Sequence, residues 1–447
     1  MRKYTSMISF RSDDMMNQLK DFFSVWSILR QALYYFFFML LIWGGSNKFG
    51  KKEFHEDYND LEVMKSLRGF AAIGVILHHI SQEQAFQSRK ALTPFVNAGA
   101  FFVAIFFFCS GYGLLRSLDT KENYLKGFIK NRIVKSLMLP FYVNVILYAI
   151  YQYFLVRVKW PAAQWICNFS GLTMMNAYAW FPIVLAFLYL FFYLIFRFVK
   201  VRPIAFILMA AVIIVMGIGF CYNGHFAWWH GEKGWWMDWM HPNTIWWREQ
   251  KVLWFSGEWW VNSSIAFLTG LIFANYEKAI VAWFRKLYAL KFHILLLLTY
   301  LAYQLSEYGQ AHFGYWTEFG DGLPGISTKM KTYFCQLPVF AILGLLVILF
   351  MLKYHVSNPV TRFFGDVSLH VYLMNLMALE ITRFLMDKRK FPFTITKMGS
   401  KHNLLIFAIM AFALTILLGL VEKWLTDLLK KVLFKRRKKD AEQPASV

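Results

Sequence analysis

The chain has 447 residues, of which 58% are hydrophobic and 20% aromatic, with a net charge of +22 and a mean hydropathy of +0.41. So much apolar surface excludes a soluble globular domain, which could not keep it from water. The charge does not read as a nucleic-acid signal either. Lys and Arg gather in short loops between apolar runs and in the tail FKRRKK (434–439), a pattern that suits anionic lipid headgroups and the positive-inside rule.

In chain order, the first apolar stretch is Asp21 to Trp43. Arg30 and Gln31 inside it favour a helix lying at the membrane interface over an eleventh span. No small-residue cleavage pattern follows a short apolar core, so it does not read as a removed leader. Ten further apolar runs lie at about 64–80, 94–115, 137–156, 178–198, 204–222, 259–275, 290–308, 334–353, 366–386 and 404–425. Runs of this length span a bilayer as helices, and lipid leaves the backbone no other way to satisfy itself. The expected fold is all-α, a polytopic membrane helix bundle of about ten transmembrane helices. Residues 1–60 form an N-terminal extension, 61–427 the transmembrane domain and 428–447 a basic tail.

Loop charges set the expected orientation. The loop after the second run holds Arg116, Lys121, Lys126, Lys130, Arg132 and Lys135, and later even loops are also basic. Even loops and the C-terminus are therefore expected in the cytoplasm. The stretch 387–403 strains this reading, because it is placed outside yet carries Lys388, Arg389, Lys390, Lys397 and Lys401. The loop 223–258 holds eight tryptophans, Trp228 to Trp254, which fit either an interfacial aromatic belt or a platform for stacking on sugar rings. Cys109, Cys167, Cys221 and Cys335 are far apart and suggest neither a disulfide framework nor a metal site. The sequons at 168–170 and 262–264 are too short to carry weight.

The first of the ten runs, SLRGFAAIGVILHHI (66–80), carries titratable groups where they are costly. Arg68 and His79 are eleven residues apart, which puts both on one helix face and about 16 Å apart along the axis. Snorkelling would explain the arginine alone, and a buried hydrogen-bonded ring the histidine alone. Together on one face, beside Gly69, they read as the lining of a polar path through the bundle.

LRGFAAIGVILHH (67–79) resembles the first span of the acyltransferase-3 family, with Arg68, Gly69, Ala71 and His79 in the family's spacing. Five further segments are similar to that family in order. They are FFVAIFFFCSGYGLLRS (101–117), NYLKGFIKNRIVKSLMLPFY (123–142), AWFPIVLAFLYL (179–190), WWVNSSIAFLTGLIFANYEKAI (259–280) and FFGDVSLHVYLMNL (363–376). Two positions depart from the pattern: Lys135 stands for a second arginine, and Asn375 for a late histidine.

The resemblance implies a multi-pass protein of the bacterial inner membrane with a cytoplasmic C-terminus. Its implied activity is transfer of an acyl group, usually acetyl, from cytoplasmic acetyl-CoA to a hydroxyl of a surface or lipid-linked carbohydrate. Lipid and a carbohydrate acceptor are the implied partners, with no nucleic acid and no metal. In that reading Arg68, Arg132 and Lys135 hold the CoA phosphates, the last two sharing one side of a helix start. His79 is the general base. Ser110 and Tyr112 are candidate donors to the oxyanion. Glu380 or Glu83 is the carboxylate that orients His79. Trp180 and Asn375 are candidate acceptor contacts. The alternative is a glycolipid transporter or flippase, which also needs many spans and a polar path, although no repeat halves are visible.

Overall fold

The computed structural model describes residues 25–88, 92–160, 162–170, 175–223, 263–313, 323–387 and 401–434. Most of the tryptophan-rich loop and most of the basic stretch 387–403 lie outside the described residues, as does the tail FKRRKK beyond Phe434.

Among the described residues, every apolar run read from the sequence falls largely on a helix. In chain order they are α1 (Val25–Ile42), α2 (Leu61–Ser81), α3 (Gly99–Thr120), α4 (Ile129–Val156), α5 (Trp180–Phe198) and α6 (Arg202–Asn223). Then come α7 (Ile265–Arg285), α8 (Tyr288–Phe313), α9 (Leu323–Lys353), α10 (Pro359–Asp387) and α11 (Lys401–Phe434). Among the described residues, seven helices are long and apolar enough to cross a membrane: α3, α4, α5, α7, α8 and most of α9 and α11. In α6 (Arg202–Asn223) the stretch Arg202–Ile218 is apolar as well.

Helices α2 and α10 are absent from that set for a physical reason. α2 carries Glu62, Lys65, Arg68, His78 and His79, and α10 carries Arg362, Asp366, Glu380 and Arg383. They tolerate this because they pack on each other inside the bundle. α2 is buried along almost its whole length, from Val63 to Ser81. By contrast, α8 is peripheral, and its leucines from Leu296 to Leu298 are exposed.

Glycines set the closest helix pairs. A methyl group at Gly69 of α2 would lie 1.7 Å from the Thr361 carbonyl oxygen of α10, and one at Gly365 would lie 2.2 Å from the Lys65 carbonyl oxygen. The two backbones therefore touch directly, with α2 and α10 parallel. Gly111 of α3 and Gly270 of α7 make a second such crossing, against the carbonyl oxygens of Phe267 and Phe108. Without a hydrophobic drive in lipid, close backbone approach at small residues is the usual way for helices to associate.

The segment before α2 is tied to the bundle. Ser46–Asn47 (β1) pairs antiparallel with Tyr354–His355 (β2), in the register Ser46↔His355 and Asn47↔Tyr354. Lys353 Nζ donates to the carbonyl oxygens of Lys51 (2.6 Å) and Glu53 (2.7 Å). Helix α1 docks through Phe37, which stacks on Phe70 and meets Phe95 edge-on.

Helix α4 opens as a π-helix over Ile129–Met138, with hydrogen bonds reaching one residue further than in an α-helix. The wider turn rotates each residue by less than 100°, so residues three apart no longer share a side.

Candidate functional site

Two polar centres lie at opposite ends of α2. At its C-terminal end, the buried His79 ring places Nδ1 2.6 Å from Asn375 Oδ1 on α10. Asn375 Nδ2 donates to Thr415 Oγ1 on α11 at 2.9 Å, and Thr415 Oγ1 donates to the Ala411 carbonyl oxygen at 2.7 Å. This chain of donors assigns the tautomer. The Asn375 amide nitrogen is committed to Thr415, so its oxygen accepts from His79 Nδ1–H. Nε2 then keeps its lone pair and can accept a proton. Tyr178 lies flat on the imidazole, with ring centroids 3.8 Å apart. The neighbouring His78 turns away, its Nδ1 2.8 Å from the Phe95 carbonyl oxygen.

The α2–α10 glycine contact explains why the pair meets. Gly69 faces Gly365, and ten residues further on each helix His79 faces Asn375. The buried pair His370 and Glu422 joins α10 to α11 and holds Thr415 beside Asn375; Thr426 Oγ1 donates to Glu422 Oε1 at 3.0 Å.

The expected orienting carboxylate is thus replaced by an amide. Glu380 Oε2 accepts from Tyr148 at 2.6 Å, and Glu83 Oε1 takes Arg383 at 3.0 Å. The imidazole Nδ1 is occupied by Asn375, so neither carboxylate orients it. Asn375, expected as an acceptor contact, is the residue that holds His79 Nδ1. Trp180 is half-buried at the start of α5, two residues after Tyr178.

At the other end of α2, the Arg68 and Arg132 guanidiniums both act on the Tyr189 hydroxyl, which also hydrogen-bonds Ser110. Arg132 lies over the Tyr124 ring, 5.5 Å from its centroid. Among the described residues neither arginine faces a carboxylate, whereas Arg202, Arg285 and Arg383 each do. Two guanidiniums that act on one hydroxyl and have no carboxylate partner among the described residues suit an anion such as a phosphate.

Lys135 does not join them. Its Nζ lies 4.8 Å from the Phe434 ring centroid at the end of α11. The π-helical winding of 129–138 separates the two basic residues that an α-helix would have aligned.

Ser110 and Tyr112 are not beside His79. Helices α2 and α3 run antiparallel, with His78 against Gly99, Gly74 against Phe102, and the Arg68 charge acting on Cys109. Ser110 and Tyr112 therefore stand at the level of Arg68, about 16–20 Å down the axis from His79. Tyr112 instead donates to Glu277 Oε1 of α7 at 2.9 Å, which also accepts from Tyr58 (2.7 Å) and Asn59 (2.8 Å). That buried carboxyl pins the segment before α2 onto α3 and α7. Among the described residues no group of three or more His, Cys, Asp or Glu side chains could hold a metal ion.

Several of these groups left some trace in the sequence. His370 is an ionisable residue inside an apolar run and Glu277 lies two residues past the end of one, a signal of an inward-facing role. Thr415 left none, because a single threonine in an apolar helix is unremarkable.

A family model described as an acyltransferase domain, that of the acyltransferase-3 family, matches residues 62–421. No curated protein and no solved structure matches the chain. The match covers every helix from α2 to most of α11, and with it both polar centres. The chain belongs to the acyltransferase-3 family and is an integral membrane acyltransferase.

Proposed function

We propose that this protein moves an acetyl group from cytoplasmic acetyl-CoA to a hydroxyl of a cell-surface or lipid-linked carbohydrate, at the inner membrane of a bacterium. One observation carries the reading. At one end of the buried helix α2, Arg68 and Arg132 of α4 act on one hydroxyl and, among the described residues, have no carboxylate partner; at the other end stands His79, its Nδ1 held by Asn375. With even loops in the cytoplasm, the arginine end faces the donor and the histidine end faces the outside. Arg68 and Arg132 suit the CoA phosphates, and the pantetheine arm is of a length comparable to the eleven-residue separation of Arg68 and His79. At the far end the acceptor O–H proton passes to His79 Nε2 as the oxygen bonds to the thioester carbonyl carbon. The C–S bond then breaks, and the departing sulfur takes the proton back from His79.

The arginine end has a discriminating test. In purified protein in lipid nanodiscs, Arg132→Ala is expected to raise KM for acetyl-CoA about 10- to 100-fold, the size of a lost charge-assisted hydrogen bond. Lys135→Ala is expected to change it by less than about threefold, because its ammonium lies against the Phe434 ring and not with the two guanidiniums. Equal losses in the two variants would contradict the assignment.

The histidine end has its own. Thr415→Val removes the acceptor of the Asn375 amide. It is expected to lower kcat about tenfold, the effect of one hydrogen bond, with KM for acetyl-CoA unchanged. Thr415→Ser should restore the rate; an unaltered kcat in Thr415→Val would remove Asn375 from the positioning of His79.

A further inference from the structure

Beside His79, away from Asn375, lies a second group of polar side chains that the transfer chemistry does not use. Tyr148 donates to Glu380 Oε2 at 2.6 Å, and Tyr151 also engages Glu380. Arg383 Nε and Nη2 both donate to Glu83 Oε1, at 3.1 and 3.0 Å. Tyr178, whose ring covers the His79 imidazole, lies in the field of all three charged groups, Glu83, Arg383 and Glu380. The group runs from exposed Arg383, through half-buried Glu83, Glu380 and Tyr178, to buried His79. It leads from the surface to the imidazole at the end of α2 opposite Arg68.

We infer that this cluster is the acceptor subsite, and that it takes a neutral, hydroxyl-rich sugar in preference to an acidic one. This rests on the acyl-transfer reading above. Tyrosine rings offer flat faces to a sugar ring, and the tyrosine hydroxyls and carboxylate oxygens offer matched donors and acceptors to its hydroxyls. Glu380 holds two tyrosine hydroxyls, and a sugar hydroxyl that joins them can donate to the carboxylate while its oxygen accepts from a tyrosine. The charge pattern selects against anions. Among the described residues, the one guanidinium in the cluster, that of Arg383, is committed to Glu83. A uronate or phosphate would bring its charge up to Glu380 with no free cation among the described residues of the cluster to meet it.

The test uses cells carrying wild type, Tyr148→Phe or Glu380→Gln at equal protein levels. Their glycans are read by NMR for the amount of acetyl ester and the sugar that bears it. The same purified proteins are read for acetyl-CoA affinity by calorimetry. The wild-type ester is expected on a neutral sugar. Both variants should lower it about tenfold or more, with acetyl-CoA affinity held within about twofold. Undiminished ester in both variants overturns the inference, as does a parallel loss of acetyl-CoA affinity, which marks a structural role. A wild-type protein that binds acetyl-CoA and leaves ester only on acidic sugars, or on no glycan, overturns the subsite while sparing the donor site. One that neither binds acetyl-CoA nor leaves ester overturns both.

Discussion

Replacing His79 with alanine is expected to lower acetyl transfer about 10²- to 10⁴-fold, the usual contribution of a positioned general base. Acetyl-CoA affinity should stay near wild type, because Arg68, which suits the donor, lies about 16 Å away along α2. The measurement is release of free CoA thiol by protein in nanodiscs, alongside calorimetric binding of acetyl-CoA. The split between the two readings decides the role. A structural histidine lost from a buried hydrogen-bonded chain would lower both together, since the bundle itself would loosen. Asn375→Ala should act in the same direction by a smaller factor, because it leaves the imidazole present but free to turn. If His79→Ala transfers acetyl at the wild-type rate, the chemistry lies elsewhere.

The second large effect comes from the helix crossing beneath that site. Gly69→Val is expected to force α2 and α10 apart, because even a methyl group there would lie 1.7 Å from the Thr361 carbonyl oxygen. The obstacle is backbone, which cannot swing aside as a side chain can. Overpacking of this kind costs about 1–3 kcal/mol or more. Displacement of α2 also removes the 2.6 Å contact between His79 and Asn375. Thermal unfolding in detergent should show a clear loss of stability, with activity lost even in the protein that remains folded. Gly113→Ala is the control: a methyl group there meets nothing within 4 Å. It should leave stability unchanged or slightly raised, since alanine favours a helix by about 1 kcal/mol over glycine. Equal behaviour of the two variants would mean that the crossing does not control the site.

Much of the fold was legible because lipid permits so little. Each long apolar run had to be a helix, and even the polar α2 and α10 were recognisable through the motifs around Arg68 and Asn375. The site was legible by residue more than by partnership. Face counting aligned Arg68 with His79 correctly for an α-helix, but the same counting failed at Arg132 and Lys135, where ten residues wind as a π-helix. Nothing in that stretch announces the wider turn. Ser110 and Tyr112 were read in the right helix at the wrong depth, because motif order does not say which levels of antiparallel helices coincide. The orienting group of His79 was sought among carboxylates. An amide does the same work where its oxygen is fixed by a donor pair, and that depends on Thr415, forty residues away.

The central claim is that the buried face of α2 carries an acetyl group from an arginine-lined entrance to a histidine-lined exit. Its most direct test is the acetyl content of surface glycans, by proton NMR, in cells carrying wild type, His79→Ala or no copy, at matched protein levels for the first two. Acetyl signal present with wild type and absent from the other two is the predicted result. Equal signal in all three would contradict the account.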